Sequence, residues 1–204
     1  MKEFWDNRYR QKQYVYGKNP NQYLKNKLEE LEPGKILFPA EGEGRNAVFA
    51  AKQGWEVSAF DLSTEGMRKA LQLAEDNGVE INYHTTELSR QGYQKGEFDA
   101  IALIYAHFLP EERRDFFKFF SYILKPGGIV IFEGFGPHHP HYQEKNPAIG
   151  GPKEEKMLFS VKEIKEAFPD FDFLEFNEGE TELNEGEYHK GKGWVIRFVA
   201  QKNS

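Results

Sequence analysis

The sequence predicts a three-layer α/β protein: a doubly wound, mostly parallel seven-stranded sheet that ends in an antiparallel strand pair. Three observations point there. Short apolar strand patterns alternate with helical ones along most of the chain. Phe98–Tyr105 is a nearly continuous apolar run, as a strand requires when helices cover both faces of its sheet. The last two strand patterns follow one another with no helix between them, which makes them a hairpin.

Taken in order, the first twenty residues are rich in Trp, Tyr, Asn and Arg without a sustained period and read as an irregular arm or lid, 1–20, ending at Pro20. Leu24, Leu28 and Leu31 then share a helical face, and Pro33-Gly34 stops that helix. Ile36–Pro39 reads as a buried strand, Arg45–Gln53 as a helix and Trp55–Phe60 as a second strand. Met67, Ala70, Leu71 and Ala74 recur at helical spacing, closed by Asn77-Gly78. Val79–His84 is the third strand and Phe98–Tyr105 the fourth. Pro110 opens a helix with Phe116, Phe120, Ile123 and Leu124 inward, ahead of a fifth strand at Ile129–Glu133. Residues 134–159 carry Pro and Gly with little periodicity and read as a long substrate-cover loop. A short helix at Val161–Phe168, a strand at Phe171–Phe176 and the alternating run Gly193–Gln201 complete a single domain, 1–204. Right-handed crossovers place the strand C-termini, and the ligand crevice with them, on one edge.

Composition narrows the function. Hydrophobic residues at 39%, with 18 Phe, 10 Tyr and 3 Trp, supply a sizeable core. A formal charge of −6 argues against a nucleic-acid partner, whose phosphates call for clustered Lys and Arg. No window holds the roughly 18 consecutive apolar residues of a membrane span. The start, MKEFWDNRYRQ, lacks the apolar core of a signal peptide, so the cytoplasm is the expected location. The absence of Cys excludes disulfides, thiolate metal sites and a cysteine nucleophile. His138-His139-Pro140-His141 is a poor metal template, interrupted by Pro and without a carboxylate at helical spacing. No metal is expected, and contact with a substrate is the better reading of that cluster. Gly150-Gly151-Pro152 reads as its hinge or inner turn.

The stretch Lys35–Ser63 carries the chemistry. In Ala40-Glu41-Gly42-Glu43-Gly44-Arg45-Asn46 two glycines remove side chains where a ligand meets backbone, and the helix opening at Arg45 directs its amides at the same spot. Asp61 ends the next strand, seventeen residues beyond Gly44, near the spacing of an acid that binds ribose hydroxyls. A bland alternative is a plain strand-to-helix turn, with Asp61 capping the following helix. A dinucleotide reading also stays open, although Ala40 occupies the first glycine position and Ala47 must serve as the third small residue.

These segments, together with FDAIALIYAHFLPEERRDFF, LKPGGIVIFEGF and the late GGP and EGEYHKGKG stretches, resemble a class I S-adenosylmethionine-dependent methyltransferase of Rossmann-like fold. More narrowly, the chain is similar to the tellurite-resistance group, with a thiopurine-methyltransferase feature in the Phe-Pro before the glycine turn. The resemblance implies S-adenosyl-L-methionine as cofactor. Glu41, Gly42 and Gly44 would line its methionine part, Asp61 its ribose, and Leu62, Glu87 and Leu88 its adenine. Tyr105, Ala106 and His107 would lie beside the reactive methyl. Phe38-Pro39-Ala40 departs from the usual acid-x-Gly opening, so the amino-acid end of the cofactor must be held otherwise. Trp5, Arg8, Tyr9 and Tyr16 match an arm that closes over the cofactor in such enzymes, Arg8 meeting its carboxylate and an aromatic face its sulfonium. The alternative for each is simple packing on the sheet edge.

Methyl transfer from a sulfonium needs alignment and exclusion of water, and a base only when the nucleophile is protonated. Tyr105 and His107 are therefore the catalytic candidates, His107 as a group that orients the acceptor or takes its proton, against a structural histidine at a strand end. His189 reads better as a hairpin-tip residue. A small-molecule acceptor, a thiol or chalcogen oxyanion, follows from the resemblance alone. The rivals are a nicotinamide-dependent oxidoreductase and a non-catalytic cofactor-binding module.

Overall fold

The computed structural model describes residues 1–85 and 92–204. The chain runs α1 (Lys2–Tyr9), α2 (Gln22–Glu29), β1 (Lys35–Pro39), α3 (Arg45–Lys52), β2 (Glu56–Asp61), α4 (Thr64–Asp76), β3 (Asn82–Thr85) and β4 (Phe98–Ile104). It continues with α5 (Pro110–Ile123), β5 (Leu124–Phe135), α6 (His139–Lys145), α7 (Val161–Ala167), β6 (Phe171–Glu185) and β7 (His189–Lys202). Among the described residues seven strands form one sheet in the order β3-β2-β1-β4-β5-β7-β6. β3 through β5 are parallel, whereas β7 is antiparallel to β5 and to β6. The order reverses between β1 and β4, which opens a crevice at their C-terminal ends.

Alternation along the strands divides the core in two. On one face Ile36, Phe38, Val57 and Ala59 pack under α2, α3 and α4 through Leu24, Leu28, Val48, Ala70 and Leu73. On the other, Leu37, Ile101, Leu103 and Phe132 pack under α5 and α7 through Phe117, Phe120, Ile123 and Ile164. This is the three-layer arrangement the sequence predicts.

Four local expectations are corrected. The arm is not irregular throughout, because α1 occupies Lys2–Tyr9; Tyr9 is its one buried residue, so no apolar period exists to be read. In α4, Leu71 is 42% exposed and Leu73 takes the inward place. Residues 134–159 are not a bare loop: β5 runs on to Phe135, α6 follows, and 3₁₀ turns occupy Pro147–Ile149 and Glu155–Met157. Phe135, Ile149, Leu158, Leu183 and Val195 form the small core that orders this segment. The last hairpin is much longer than its apolar parts, since β6 and β7 pair as far as Glu185 opposite His189. Its outer half is polar, tied by pairs such as Lys192 to Glu180 at 2.7 Å, and so lacks a strand signature.

Candidate active site

The turn after β1 is built on left-handed backbone, with Ala40 at φ 53°, Gly42 at φ 63° and Gly44 at φ 85°. Gly44 serves packing, because a Cβ there would stand 2.5 Å from the Cβ of Ala70 on α4. Gly42 makes room for the arm, a Cβ there standing 2.6 Å from the Tyr9 hydroxyl, and its amide donates to Asp61 Oδ2 at 3.0 Å. The other oxygen of Asp61 accepts from the Ser63 amide at 2.8 Å, so one carboxylate pins the turns after β1 and β2 together. Tyr83 holds the Gly42 carbonyl from β3 at 2.7 Å. Burial pushes the Asp61 carboxyl up to about 6, against the pull of these amides. Glu41 turns away from the crevice to accept from the amides of Asn46 and Ala47 at 2.9 and 2.8 Å, capping α3, and burial raises it to about 7.

The arm lies over this turn. Tyr9 places its hydroxyl where a Cβ on Gly42 would be, 2.6 Å away, and Trp5 stacks on Tyr9 with centroids 5.4 Å apart. Asp6 accepts from the Ser63 hydroxyl at 2.6 Å and the Glu65 amide at 3.3 Å, seating α1 on the start of α4. Further along, the buried pair Lys69–Glu43, 2.6 Å apart, holds the arm by its backbone: Glu43 accepts from Val15 N and Lys69 donates to Gln13 O. Arg8 lies over the rings of Phe4, Trp5 and Tyr188 and donates to the Tyr16 hydroxyl at 3.2 Å.

At the ends of β4 and β5 the sheet closes over a polar network. Tyr105 has φ 52°, and its hydroxyl donates to Glu133, which is wholly buried. Glu133 also accepts from Arg197 Nε at 2.6 Å and from Asn21 Nδ2 at 3.2 Å. Asn21 reaches on to Glu185 at 2.8 Å, which Arg45 meets at 2.6 Å and His189 at 3.4 Å. Burial alone would raise Glu185, but Arg45 and His189 outweigh it and hold the carboxyl at about 2. The tip of the β6–β7 hairpin is thereby fastened to α3 and to the arm, whose Val15 carbonyl accepts from Glu187 N.

The predicted residues fall into groups. Gly42, Asp61, Trp5 and Tyr9 meet at the turn, with half-buried Leu62 beside them. Arg45 and Tyr16 belong to the hairpin fastening, where the Tyr16 carbonyl accepts from Arg45 and its ring lies 4.7 Å from that of His189. Tyr105 commits its hydroxyl to Glu133, and Ala106 is buried in the core beneath α5. His107 presents Nδ1 to the Met157 carbonyl at 3.0 Å, and burial lowers its pKa to about 3, so the ring is neutral. His139 stacks on Phe135 with centroids 3.9 Å apart and meets the Gly150 carbonyl; no metal-binding cluster of three occurs among the described residues. Glu87 and Leu88 lie outside the described residues. Glu43, Glu133, Glu185 and Arg197 were not singled out from sequence. Glu133 had a signal, since it ends an apolar strand at the crevice edge as Asp61 does. A groove of about 240 Å³ against Lys18, Pro20, Lys52 and Asn77 opens on the outer side of α3 and α4 rather than onto the strand ends.

A cradle of this kind suits a cationic nucleoside. Its carboxylates are desolvated, and its first α3 amides are already satisfied by Glu41. A pyrophosphate would meet acid where it needs donors.

Residues 36–128 match the family described as methyltransferase domain. The chain is 29% identical over 116 residues to the tRNA 5-carboxymethoxyuridine methyltransferase of Escherichia coli, covering 54% of this chain and 44% of that protein. It is 22% identical over 161 residues to the Haemophilus influenzae protein named probable S-adenosyl-L-methionine-dependent methyltransferase TehB, covering 78% of this chain and 52% of that one. The chain thus spans about half the length of these curated relatives. The crystal structure of TehB superimposes with a TM-score of 0.74 at 18% identity, over 99% of this chain and 67% of that one. A structure described as converting a disulfide bond into a thioacetal group during echinomycin biosynthesis superimposes at 0.79 with 16% identity, over 100% and 92%. The chain thus shares its fold with these solved structures, and its residues 36–128 match the methyltransferase-domain family.

Proposed function

We propose that the protein binds S-adenosyl-L-methionine at the ends of β1 and β2 and transfers its methyl group to a small-molecule acceptor in the cytoplasm, a soft nucleophile such as a thiol or a chalcogen oxyanion. The observation that carries this reading is the buried Asp61 carboxylate, shared between the Gly42 and Ser63 amides at the crevice edge. In this reading Asp61 accepts from the ribose hydroxyls. Gly42 admits the methionine part, Arg8 meets its carboxylate, and the rings of Trp5 and Tyr9 cover the sulfonium. The bound cofactor supplies an activated methyl group. Around it this chain excludes water with the arm and hairpin and presents neutral His107 to the acceptor. The echinomycin enzyme's sulfur chemistry favours a soft acceptor. The E. coli relative's name points to tRNA, but a formal charge of −6 speaks against a polyanion here, and no nucleic acid or membrane partner enters the reading.

Calorimetry with S-adenosylmethionine, S-adenosylhomocysteine and NADH tests the cofactor. Acceptor-dependent formation of S-adenosylhomocysteine, over thiols, selenite and tellurite, tests the activity. Binding of NADH in preference to the sulfonium compound defeats the cofactor assignment. Cofactor binding without turnover on any acceptor favours the non-catalytic module.

A further inference from the structure

His107 follows β4 directly, stacked on Phe135 with centroids 5.7 Å apart and tilted against Phe159 at 5.1 Å. Its Nδ1 faces the Met157 carbonyl at 3.0 Å. A carbonyl only accepts, so Nδ1 carries the ring proton and Nε2 keeps a lone pair. That Nε2 is buried and has no hydrogen-bond partner among the described residues. A lone pair sealed from water without a donor is a standing cost that a bound donor removes.

The tautomer is built in. Arg113 of α5 is 3% exposed and spends its guanidinium on the carbonyls of Phe108, Lys156 and Leu158 and on the Glu163 carboxylate. Held on both sides, the peptide between Lys156 and Leu158 keeps the Met157 carbonyl on the imidazole. Arg113 is thus a positioning residue acting through Met157.

The nearby charge is already balanced. Arg113 faces Glu163, Arg45 faces Glu185 and Arg197 faces Glu133. Burial keeps the neighbouring His139 and His189 neutral. Arg8 lies three rings away from His107, beyond Tyr16, His189 and Phe135 in succession. A charged oxyanion beside His107 would find the nearby counter-charges taken. An uncharged molecule that brings a hydrogen satisfies the same nitrogen without needing a counter-charge.

We propose that the acceptor is an uncharged molecule whose nucleophilic atom carries a hydrogen, a thiol or a phenol-type hydroxyl, with that hydrogen received by Nε2 of His107, and that chalcogen oxyanions are not substrates. This rests on the methyltransferase reading and narrows it. A lone pair of the acceptor atom forms the new bond to the methyl carbon, and the carbon–sulfur pair returns to the sulfonium sulfur, which becomes a neutral thioether. The acceptor's X–H bond then breaks toward Nε2, leaving an imidazolium. The proton departs from an atom made strongly acidic by methylation, so a weakly basic imidazole is sufficient.

The test uses the full chain labelled with [15N]histidine and saturated with S-adenosylhomocysteine, with the His107 resonances assigned by His107→Gln. The expected spectrum at pH 7 has Nδ1 protonated and Nε2 bare. Phenylmethanethiol or phenol, both uncharged at that pH, should move Nε2 toward the protonated range, while selenite and tellurite leave it in place. Turnover with the better of the two probes should exceed that with tellurite by on the order of 100-fold. A proton found on Nε2, an Nε2 unmoved by both probes, or turnover on either oxyanion equal to that on the probes overturns the proposal. Calorimetry with S-adenosylhomocysteine separates the two readings: failure to bind removes the cofactor assignment, whereas the ring tautomer is read with or without it.

Discussion

Asp61 holds the site together and also sets its response to acid. Its carboxyl, raised to about 6 by burial, is partly protonated just below neutrality. In the proposed reading ribose hydroxyls donate to the ionised form, so cofactor affinity should be full above about pH 6 and fall as pH drops through it, about tenfold per unit for one proton. Calorimetry with S-adenosylhomocysteine from pH 5 to 8 should show this fall, and Asp61→Asn should lower its slope by one proton. At pH 8, Asp61→Ala should weaken binding by ~1–3 kcal/mol through lost charge-assisted bonds. Arg113 offers a second residue-level test. Arg113→Lys keeps the charge but loses bonds to two or three carbonyls, at about 1 kcal/mol each. Denaturant unfolding should therefore register a loss of about 2–3 kcal/mol, and the [15N]histidine spectrum should show a mixture of His107 tautomers. A pure Nδ1–H tautomer in the folded variant would confine Arg113 to a structural role. Asp61 was legible because it is an acid ending an apolar strand. Arg113 was less so, although it shares a helical face with Phe117 and Phe120, and an arginine on a buried face signals work for its donors.

Among the elements, α1 and the β6–β7 hairpin decide how the crevice is covered, and neither shows its extent in sequence. Helix α1 buries only Tyr9 and is held by Asp6 on the start of α4, a contact made across 57 residues. The outer half of the hairpin is written in Glu, Asn, Gly and Lys, and its order comes from cross-strand pairing and from buried Glu185. Deleting residues 1–9 should leave the sheet intact, since the Lys69–Glu43 lock begins further along the arm at Gln13. It should weaken S-adenosylhomocysteine binding about tenfold or more, because Trp5, Arg8 and Tyr9 leave together. Unchanged affinity in the truncated chain would reduce α1 to packing. The hairpin makes a different prediction. With its carboxyl held at about 2 against an ordinary 4.5, Glu185 stabilises the fold above about pH 4.5, and that stability is lost as pH falls toward 2. Linkage puts the contribution at about 3 kcal/mol. Glu185→Gln should show a loss of that order in urea unfolding at pH 7 and a much smaller difference from the parent near pH 2.5, with faster amide exchange around residues 180–195.

Across the whole molecule the two halves of the crevice differ in kind. The proposed cofactor half is local: a strand, a turn, a helix and a second strand lie within Lys35–Ser63, nearly all of it inside the matched family region, residues 36–128. Such a site can be read from sequence because its geometry follows from consecutive elements. The proposed acceptor half gathers His107 with Met157, 50 residues apart, and Glu133 with Arg197, 64 apart, so its pairs exist only once the sheet order is known. It lies mostly beyond the matched region, in a chain spanning about half the length of its curated relatives, so acceptor identity must be argued from this chain's own charge and shape. At the largest scale that charge is −6, and the network cations at the crevice already face carboxylates. A polyanion therefore gains little counterion release on approach. Bulk tRNA at about 10 μM in ~0.15 M salt should neither retard in a mobility assay with the protein nor slow turnover of phenylmethanethiol, since even non-specific binders show dissociation constants near ~10⁻⁴–10⁻⁶ M. Inhibition that weakens steeply with added salt would show phosphates finding unspent cations on this fold, and would put a tRNA acceptor ahead of a small molecule.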